Sequence, residues 1–352
     1  MTGISVDQSV RRIVPTWVRV VVTLVVLAAT VWFLVIPQFS DAAGSFAAIQ
    51  HISPWPVAAA ALLESISLLS FSGLSRTILG KHRLPYFTSL RIDLATLAAN
   101  FSLPGGGTTA SAVRFGLLRA EKVPARVAIS AATVEVVVEN IALFLVFAVG
   151  AALSVAQLQG DGTNYVIAAG TVVVLLGGFA ALLWLLLRKT DRVTTLAAAV
   201  GARIPFLGAS RLSGLVSAFA MTLRELGNDR RRLAWAAGFA LGNWILDACA
   251  LWMMLAAFGS PMEVGPLLAV YGVGSVLALL PLTPGGVGLV EGVMVPALVG
   301  FGVPHSAALL GVLGWRVFEY WLPIPIGGAA FLSLRIGSLR SRRNLPRSDH
   351  DD

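Results

Sequence analysis

Apolar runs long enough to cross a bilayer, about 20 residues each, recur from one end of this 352-residue chain to the other. Few folds are open to such a chain. Lipid offers the backbone no hydrogen-bond partners, so only helices or closed barrels can span it. Barrel strands alternate apolar and polar residues, whereas these runs are continuous. The expected fold class is an all-α polytopic membrane protein. Composition points the same way: 12% of residues are charged and 57% hydrophobic, against about 25% charged in a soluble domain. A single cysteine, Cys249, rules out an intramolecular disulfide. The histidines, His51, His82, His305 and His350, are scattered along the chain, so no metal site and no cofactor is expected.

Six runs read as complete crossings, at 17–36, 55–79, 125–155, 164–187, 233–258 and 305–334. The first is longer than a signal-peptide core of about 7 to 15 residues and reads as an uncleaved span. Two further apolar segments, 84–120 and 264–302, are each broken in the middle, by Pro104-Gly105-Gly106-Gly107 and by Thr283-Pro284-Gly285-Gly286. Glycine and proline at that density end a helix, and the freed backbone groups survive at membrane depth only where protein or a wet cavity surrounds them.

The broken segments match each other at one constant offset, with no gap. Pro104, Gly105 and Gly106 correspond to Pro284, Gly285 and Gly286, Val123-Pro124 to Val303-Pro304, and Glu139 to Glu319. Apolar composition alone would match valines and alanines, but not prolines, glycines and a glutamate together. An internal repeat is expected, as in many transporter folds.

Charge then orients the repeats. If both broken segments simply crossed the bilayer, the nine basic residues between Arg188 and Arg232 would lie outside, against the positive-inside rule. If each is a re-entrant hairpin, all basic loops and both termini are cytoplasmic, and the hairpins approach the midplane from opposite faces. The expected layout is a cytoplasmic N-terminus (1–16), a first membrane half (17–187), a basic cytoplasmic connector with an amphipathic helix (188–232), a second membrane half (233–334) and a basic cytoplasmic tail (335–352). The net charge of +8 is then a matter of topology, not of nucleic-acid binding. The expected location is the cell (inner or plasma) membrane.

An ionisable residue inside a span costs roughly 2.5–3.5 kcal/mol on insertion scales, so each is a functional candidate. They are Glu64, Arg91, Asp93, Arg114, Glu135, Glu139, Asp247, Glu291, Arg316 and Glu319. Seven acids face three arginines, so ion pairing alone leaves carboxylates over. Arg316 with Glu319 or Glu139 is the simplest structural pairing. The expected path is Pro104, Gly105, Gly106, Arg114, Glu135, Glu139, Pro284, Gly285, Gly286, Glu291, Arg316 and Glu319. Its glycine tips would start half-helices whose positive ends favour an anion such as phosphate; close helix packing or a kink is the plainer reading of the same glycines. No Walker motif, nucleophile elbow or His-Glu-x-x-His is present, and no enzymatic activity is expected.

The stretch Leu280-Pro281-Leu282-Thr283-Pro284-Gly285-Gly286-Val287-Gly288-Leu289-Val290-Glu291, followed by Gly302-Val303 and Arg316, resembles the flippase-like membrane domain of the lysylphosphatidylglycerol synthase (multiple peptide resistance factor) family. Asn100, Leu103-Pro104-Gly105, Arg114 and Glu139 resemble its first half. Family members often carry an acid after the first Pro-Gly motif, where Thr108, Thr109 and Ser111 stand here. Many also place Arg and Asp where Asn140 and Leu143 stand. The chain ends soon after its last span, so a stand-alone member without the synthase domain is expected. The resemblance implies movement of lipids, or lipid-linked head groups, between leaflets. The expected cargo is an anionic or phosphate-linked lipid, with Arg114 and Arg316 offsetting head-group charge and Glu139, Glu291 and Glu319 gating or exchanging protons. Two other readings of the same residues are a proton-coupled carrier of a small soluble solute and a non-catalytic scaffold partnering an envelope-synthesis enzyme.

Overall fold

The computed structural model describes residues 52–103, 106–157, 229–279 and 283–343. The expected segments 1–36 and 164–187, Pro104 and Gly105, the connector up to residue 228 and the end of the tail lie outside the described residues. Among the described residues all regular structure is helical. Helices long and apolar enough to cross a membrane occupy Pro54–His82, Ala125–Ser154, Arg230–Ala257 and His305–Ile336. These are the four full crossings expected within this part of the chain.

Helices α1 (Pro54–Leu79) and α5 (Arg230–Ala257) form the central pair. They run antiparallel. The Ser53 N–H donates to Ala257 O at 3.1 Å at one end, and Arg232 Nε donates to Thr77 O at 2.9 Å at the other. Midway, the Ser67 and Ser70 hydroxyls donate to Asn243 Oδ1 and Phe239 O. Small and hydroxylic residues suit such a contact, because in lipid close backbone approach and interhelical hydrogen bonds replace the hydrophobic drive.

Each broken segment folds as two short helices packed on each other: α2 (Tyr86–Ser102) with α3 (Gly107–Ala120), and α6 (Val264–Ala278) with α7 (Leu289–Gly300). They occupy opposite ends of the central pair. One apolar core gathers Leu74 and Ile78 of α1, Ala236 of α5, Ile92, Leu118 and Val123. The other gathers Ala60 of α1, Leu251 of α5, Val270, Leu298 and Val303.

Both segments leave through the same turn. In the first, the N–H groups of Glu121, Lys122 and Val123 reach Leu117 O, Arg119 O and Leu118 O at 3.1–3.2 Å; in the second, those of Phe301, Gly302 and Val303 reach Ala297 O, Val299 O and Leu298 O at 2.9–3.2 Å. Every donor and acceptor is displaced by the offset that relates Pro104 to Pro284. The left-handed position is Lys122 in one (φ 63°) and Gly302 in the other (φ 88°). Helices α4 (Ala125–Gln157) and α8 (His305–Arg316) follow, and their first residues are related by the same offset.

Past Arg316 the chain makes a π turn over Val317–Trp321 before α9 (Pro323–Arg343). From sequence, 305–334 reads as one plain crossing. Pro323 and Pro325 lack the N–H groups a regular ladder needs, and the Leu322 N–H reaches back five residues to Val317 O at 2.8 Å.

Packing between the halves is reciprocal, α2 lying on α9 and α6 on α4. Each contact brings a glycine against a neighbouring helix: a Cβ at Gly327 would lie 2.7 Å from Ala98 Cβ, and one at Gly150 2.5 Å from Leu268 Cβ. The halves also meet where Phe101, ending α2, stacks on Tyr320 of the π turn at 4.7 Å between centroids. The Tyr320 hydroxyl donates to Phe101 O at 3.1 Å. Gly285 lies against both rings, and a Cβ there would fall 3.0 Å from the Phe101 ring.

Candidate functional site

The four described α-helices of the first half bring one polar residue each to a common point. Arg114 of α3 donates through Nη1 to Asp93 Oδ1 of α2 at 2.7 Å and through Nη2 to Glu135 Oε2 of α4 at 2.5 Å. Its Nη2 also lies 3.0 Å from Ser75 Oγ of α1. The Ser75 hydroxyl is in turn within 3.2 Å of both carboxylates. Arg114, Asp93 and Glu135 are all buried. A guanidinium is the side chain best suited to hold two carboxylates at once, because its donors form a rigid planar fork.

The second half repeats the motif with the roles exchanged. Here the arginine stands on the long helix and one acid on the short arm. Arg316 donates through Nε to Glu291 Oε1 of α7 at 2.7 Å, through Nη1 to Glu319 Oε2 at 2.8 Å and through Nη2 to Gly285 O at 2.8 Å. Its guanidinium lies 4.9 Å from the Tyr320 ring centroid. Three donors thus fix the broken tip, the short arm and the long helix together.

One sequence expectation needs correcting. The start of α7 is not an open anion site, since Glu291 Oε2 accepts the Gly288 N–H at 2.6 Å. A carboxylate of the chain itself takes the favourable place at the positive helix end. At the matching position of α3 stands Ser111, whose hydroxyl donates to Gly107 O at 2.6 Å. Arg114 and Arg316 are each bridged by two carboxylates, and the Arg316–Glu319 pairing is one of the two that the sequence offered. Glu319 is the most accessible of the four, with 21% of its side chain exposed against 10% or less for the others.

Three acids stand apart from these clusters. Glu135 and Glu139 share a face of α4, but only Glu135 meets Arg114. Glu139 Oε2 accepts from Asn243 Nδ2 of α5 at 3.3 Å, and its Oε1 is buried without a hydrogen-bond partner. Asp247, one turn beyond Asn243, accepts from Trp315 Nε1 at 2.5 Å and from the Tyr271 hydroxyl at 2.8 Å. Glu64 of α1 lies beside it. Arg91 joins neither cluster and reaches only Phe87 O of its own helix, at 3.4 Å. Pro104 and Gly105 lie outside the described residues, while Gly106 caps α3 with φ 45°.

Sequence reasoning missed Ser75, Asn243, Tyr271, Trp315 and Tyr320 as partners of these charges. Asn243 carries a signal, because it precedes Asp247 by one helical turn in an otherwise apolar run. The aromatic residues carry none, since membrane helices hold many. Among the described residues no group of three or more His, Cys, Asp or Glu is arranged to hold a metal ion. A cleft of about 450 Å³ bounded by Ser154, Met262, Glu263, Phe301 and Pro304 is lined by none of the buried charges.

Residues 17–327 match the family model described as the lysylphosphatidylglycerol synthase TM region. A UPF0104 membrane protein of Methanothermobacter thermautotrophicus is 24% identical over 323 residues, covering 88% of this chain and 92% of that protein. Shorter matches join UPF0104 membrane proteins of Pyrococcus horikoshii, 24% identical over 36% of this chain and 37% of the relative, and Methanocaldococcus jannaschii, 29% identical over 26% and 28%.

Proposed function

Because the chain belongs to the lysylphosphatidylglycerol synthase TM region family, and so to multi-pass membrane proteins, we propose that it moves a lipid with an anionic or phosphate-linked head group between leaflets. The observation that carries the reading is the pair of buried arginine–dicarboxylate clusters, one in each half, each tying a short arm to a long helix. We read the broken segments as inverted re-entrant hairpins. Their cores lie at opposite ends of antiparallel helices, their exit turns match bond for bond, and the end of α2 touches the second tip through Phe101 and Gly285.

The chemistry follows from what the arginines already hold. A lipid phosphate, like a carboxylate, offers two oxygens that can accept from a guanidinium fork. It can therefore take the place of Glu319, the more exposed partner, on Arg316, and free the Gly285 tip. Glu291 stays on the α7 N-terminus and keeps the arm folded. Displacing one internal anion by a ligand anion conserves buried charge pairing, so the exchange avoids leaving a bare cation in hydrocarbon. The acyl chains remain in lipid while the head group follows the polar interior.

Lys81, Arg83, Arg119, Lys122, Arg126 and Arg230–Arg232 all sit at the 74–79/230–240 end of the central pair; Arg232 bonds to Thr77 O and Ile78 O there. We assign that end to the cytoplasm by the positive-inside rule. In vesicles of phosphatidylcholine and phosphatidylglycerol with fluorescent lipid reporters, the purified chain is expected to accelerate exchange of the anionic reporter. Glu319→Gln and Arg316→Ala should each slow it at least tenfold. Exchange at the rate of protein-free vesicles, or unchanged exchange in both variants, overturns the proposal.

A further inference from the structure

Glu64 and Asp247 are absent from the path described above, yet they are the two acids buried deepest in the contact between α1 and α5. Their relative exposures are 5% and 7%. Around them lie Ala60, Ala248, Leu251 and Tyr271 of the apolar core. Ser67 bonds Asn243 across the antiparallel pair at 2.9 Å, and one turn further along each helix Glu64 and Asp247 face each other. Two adjacent carboxylates in such surroundings cannot both be ionised, and a shared proton is the ordinary solution.

The hydrogen bonds say which oxygen carries it. Both Asp247 oxygens accept a bond, from Trp315 Nε1 and from the Tyr271 hydroxyl. Those donors favour the ionised form of Asp247. Glu64 Oε2 is buried and has no donor facing it. A carboxylic acid at Glu64, donating its proton to Asp247, removes one of two adjacent buried anions and leaves Asp247 ionised among donors.

Among the described residues no cation is free to substitute for that proton. Among the described residues, the charged or titratable groups facing the pair from neighbouring helices are Tyr271 of α6, Arg316 of α8 and Glu319 of the π turn. Glu139 of α4 is held by Asn243, one turn from Asp247 on α5. Arg316 is already shared by Glu291 and Glu319.

We propose that Glu64 and Asp247 form a one-proton site, and that its occupancy is coupled to movement of the second broken segment. The coupling is structural. Tyr271 lies on α6, the first arm of that segment, and Trp315 precedes Arg316, which grips the tip. Loss of the Glu64 proton to water leaves two adjacent anions. Asp247 is pushed from Glu64 and toward the Tyr271 and Trp315 donors, so strain is passed to both the arm and the latch. The inference builds on the lipid-transport reading and supplies its coupling ion as a proton.

Two measurements test it separately. Infrared spectra of the purified chain in phosphatidylcholine nanodiscs at neutral pH should contain a protonated-carboxyl C=O band that shifts in heavy water. Glu64→Gln should remove it, and Tyr271→Phe, which takes a donor from Asp247, should move its loss to higher pH. A protonated-carboxyl band unchanged in Glu64→Gln, with the Tyr271→Phe titration also unaltered, overturns the site. In vesicles with an imposed pH gradient, wild-type anionic-lipid movement should respond to the gradient, whereas Glu64→Gln should retain gradient-independent exchange and lose at least tenfold of the response. An undiminished response in that variant overturns the coupling. If the wild-type chain moves no lipid, the transport reading falls, and the infrared titration alone decides the proton site.

Discussion

A guanidinium buried between two carboxylates is balanced only as a set. Taking Arg114 or Arg316 away leaves two anions without a partner, which costs about 3–5 kcal/mol for a buried pair broken on one side. We expect Arg114→Met to lower the thermal unfolding temperature sharply in detergent. Adding Asp93→Asn and Glu135→Gln should restore most of the loss, because all three charges then leave together. A single variant as stable as wild type would show that the cluster is not the buried network seen around Arg114. Most of the buried charges were legible in the sequence, since few charges interrupt the apolar runs, but Arg91 and Glu319, named with them, are only partly buried. Partner choice was not. Glu135 and Glu139 are one turn apart on the same face, and only the heights at which α3 and α5 cross α4 send the first to Arg114 and the second to Asn243. For the same reason the sequence offered the α7 N-terminus to a ligand anion, while the fold gives it to Glu291.

The exit turns show how one element is encoded twice with different residues. Left-handed backbone costs a residue with a Cβ about 1–2 kcal/mol, and glycine avoids that cost. Lys122 holds this conformation at φ 63° where its counterpart is Gly302 at φ 88°. The Lys122→Gly substitution should therefore stabilise the chain by up to about 1 kcal/mol, the remainder being offset by the extra freedom of glycine in the unfolded chain. Gly302→Lys should destabilise it by a similar amount. Thermal melts of both variants check the pair; equal and opposite small shifts are expected, and a destabilised Lys122→Gly refutes the argument. The helical elements themselves were well marked. Continuous apolar runs fixed the long helices, and proline with glycine marked the breaks at Gly106 and Pro284–Gly286. The π turn was hidden, because Pro323 and Pro325 announce missing donors without saying whether the chain kinks, ends or widens there. The Leu322 to Val317 bond shows that it widens.

At the scale of the molecule, the arrangement is governed by the antiparallel α1–α5 pair, which offers each broken segment an apolar core at one end. The constant offset between the segments was visible in prolines, glycines and one glutamate. The reciprocal packing of α2 on α9 and α6 on α4 was not, since it depends on contacts between halves that no local pattern records. Its consequence for topology can be measured. The turns at Lys122 and Gly302 have the same backbone bonds, yet they belong to segments whose cores lie at opposite ends of the central pair. A Cys249→Ala background removes the chain's only thiol. In it, Lys122→Cys should react with a membrane-impermeant maleimide only from the cytoplasmic side, together with a cysteine at Lys81. Gly259→Cys, beside Phe258 at the far end of α5, should react only from the outer side. Gly302→Cys should label with Gly259→Cys. Labelling of the 122 and 302 positions from one face would mean that the two segments share an orientation. The exchange of roles between arginine and acid in the two clusters would then have no inverted symmetry to explain it, and the paired-hairpin transport path would be lost with it.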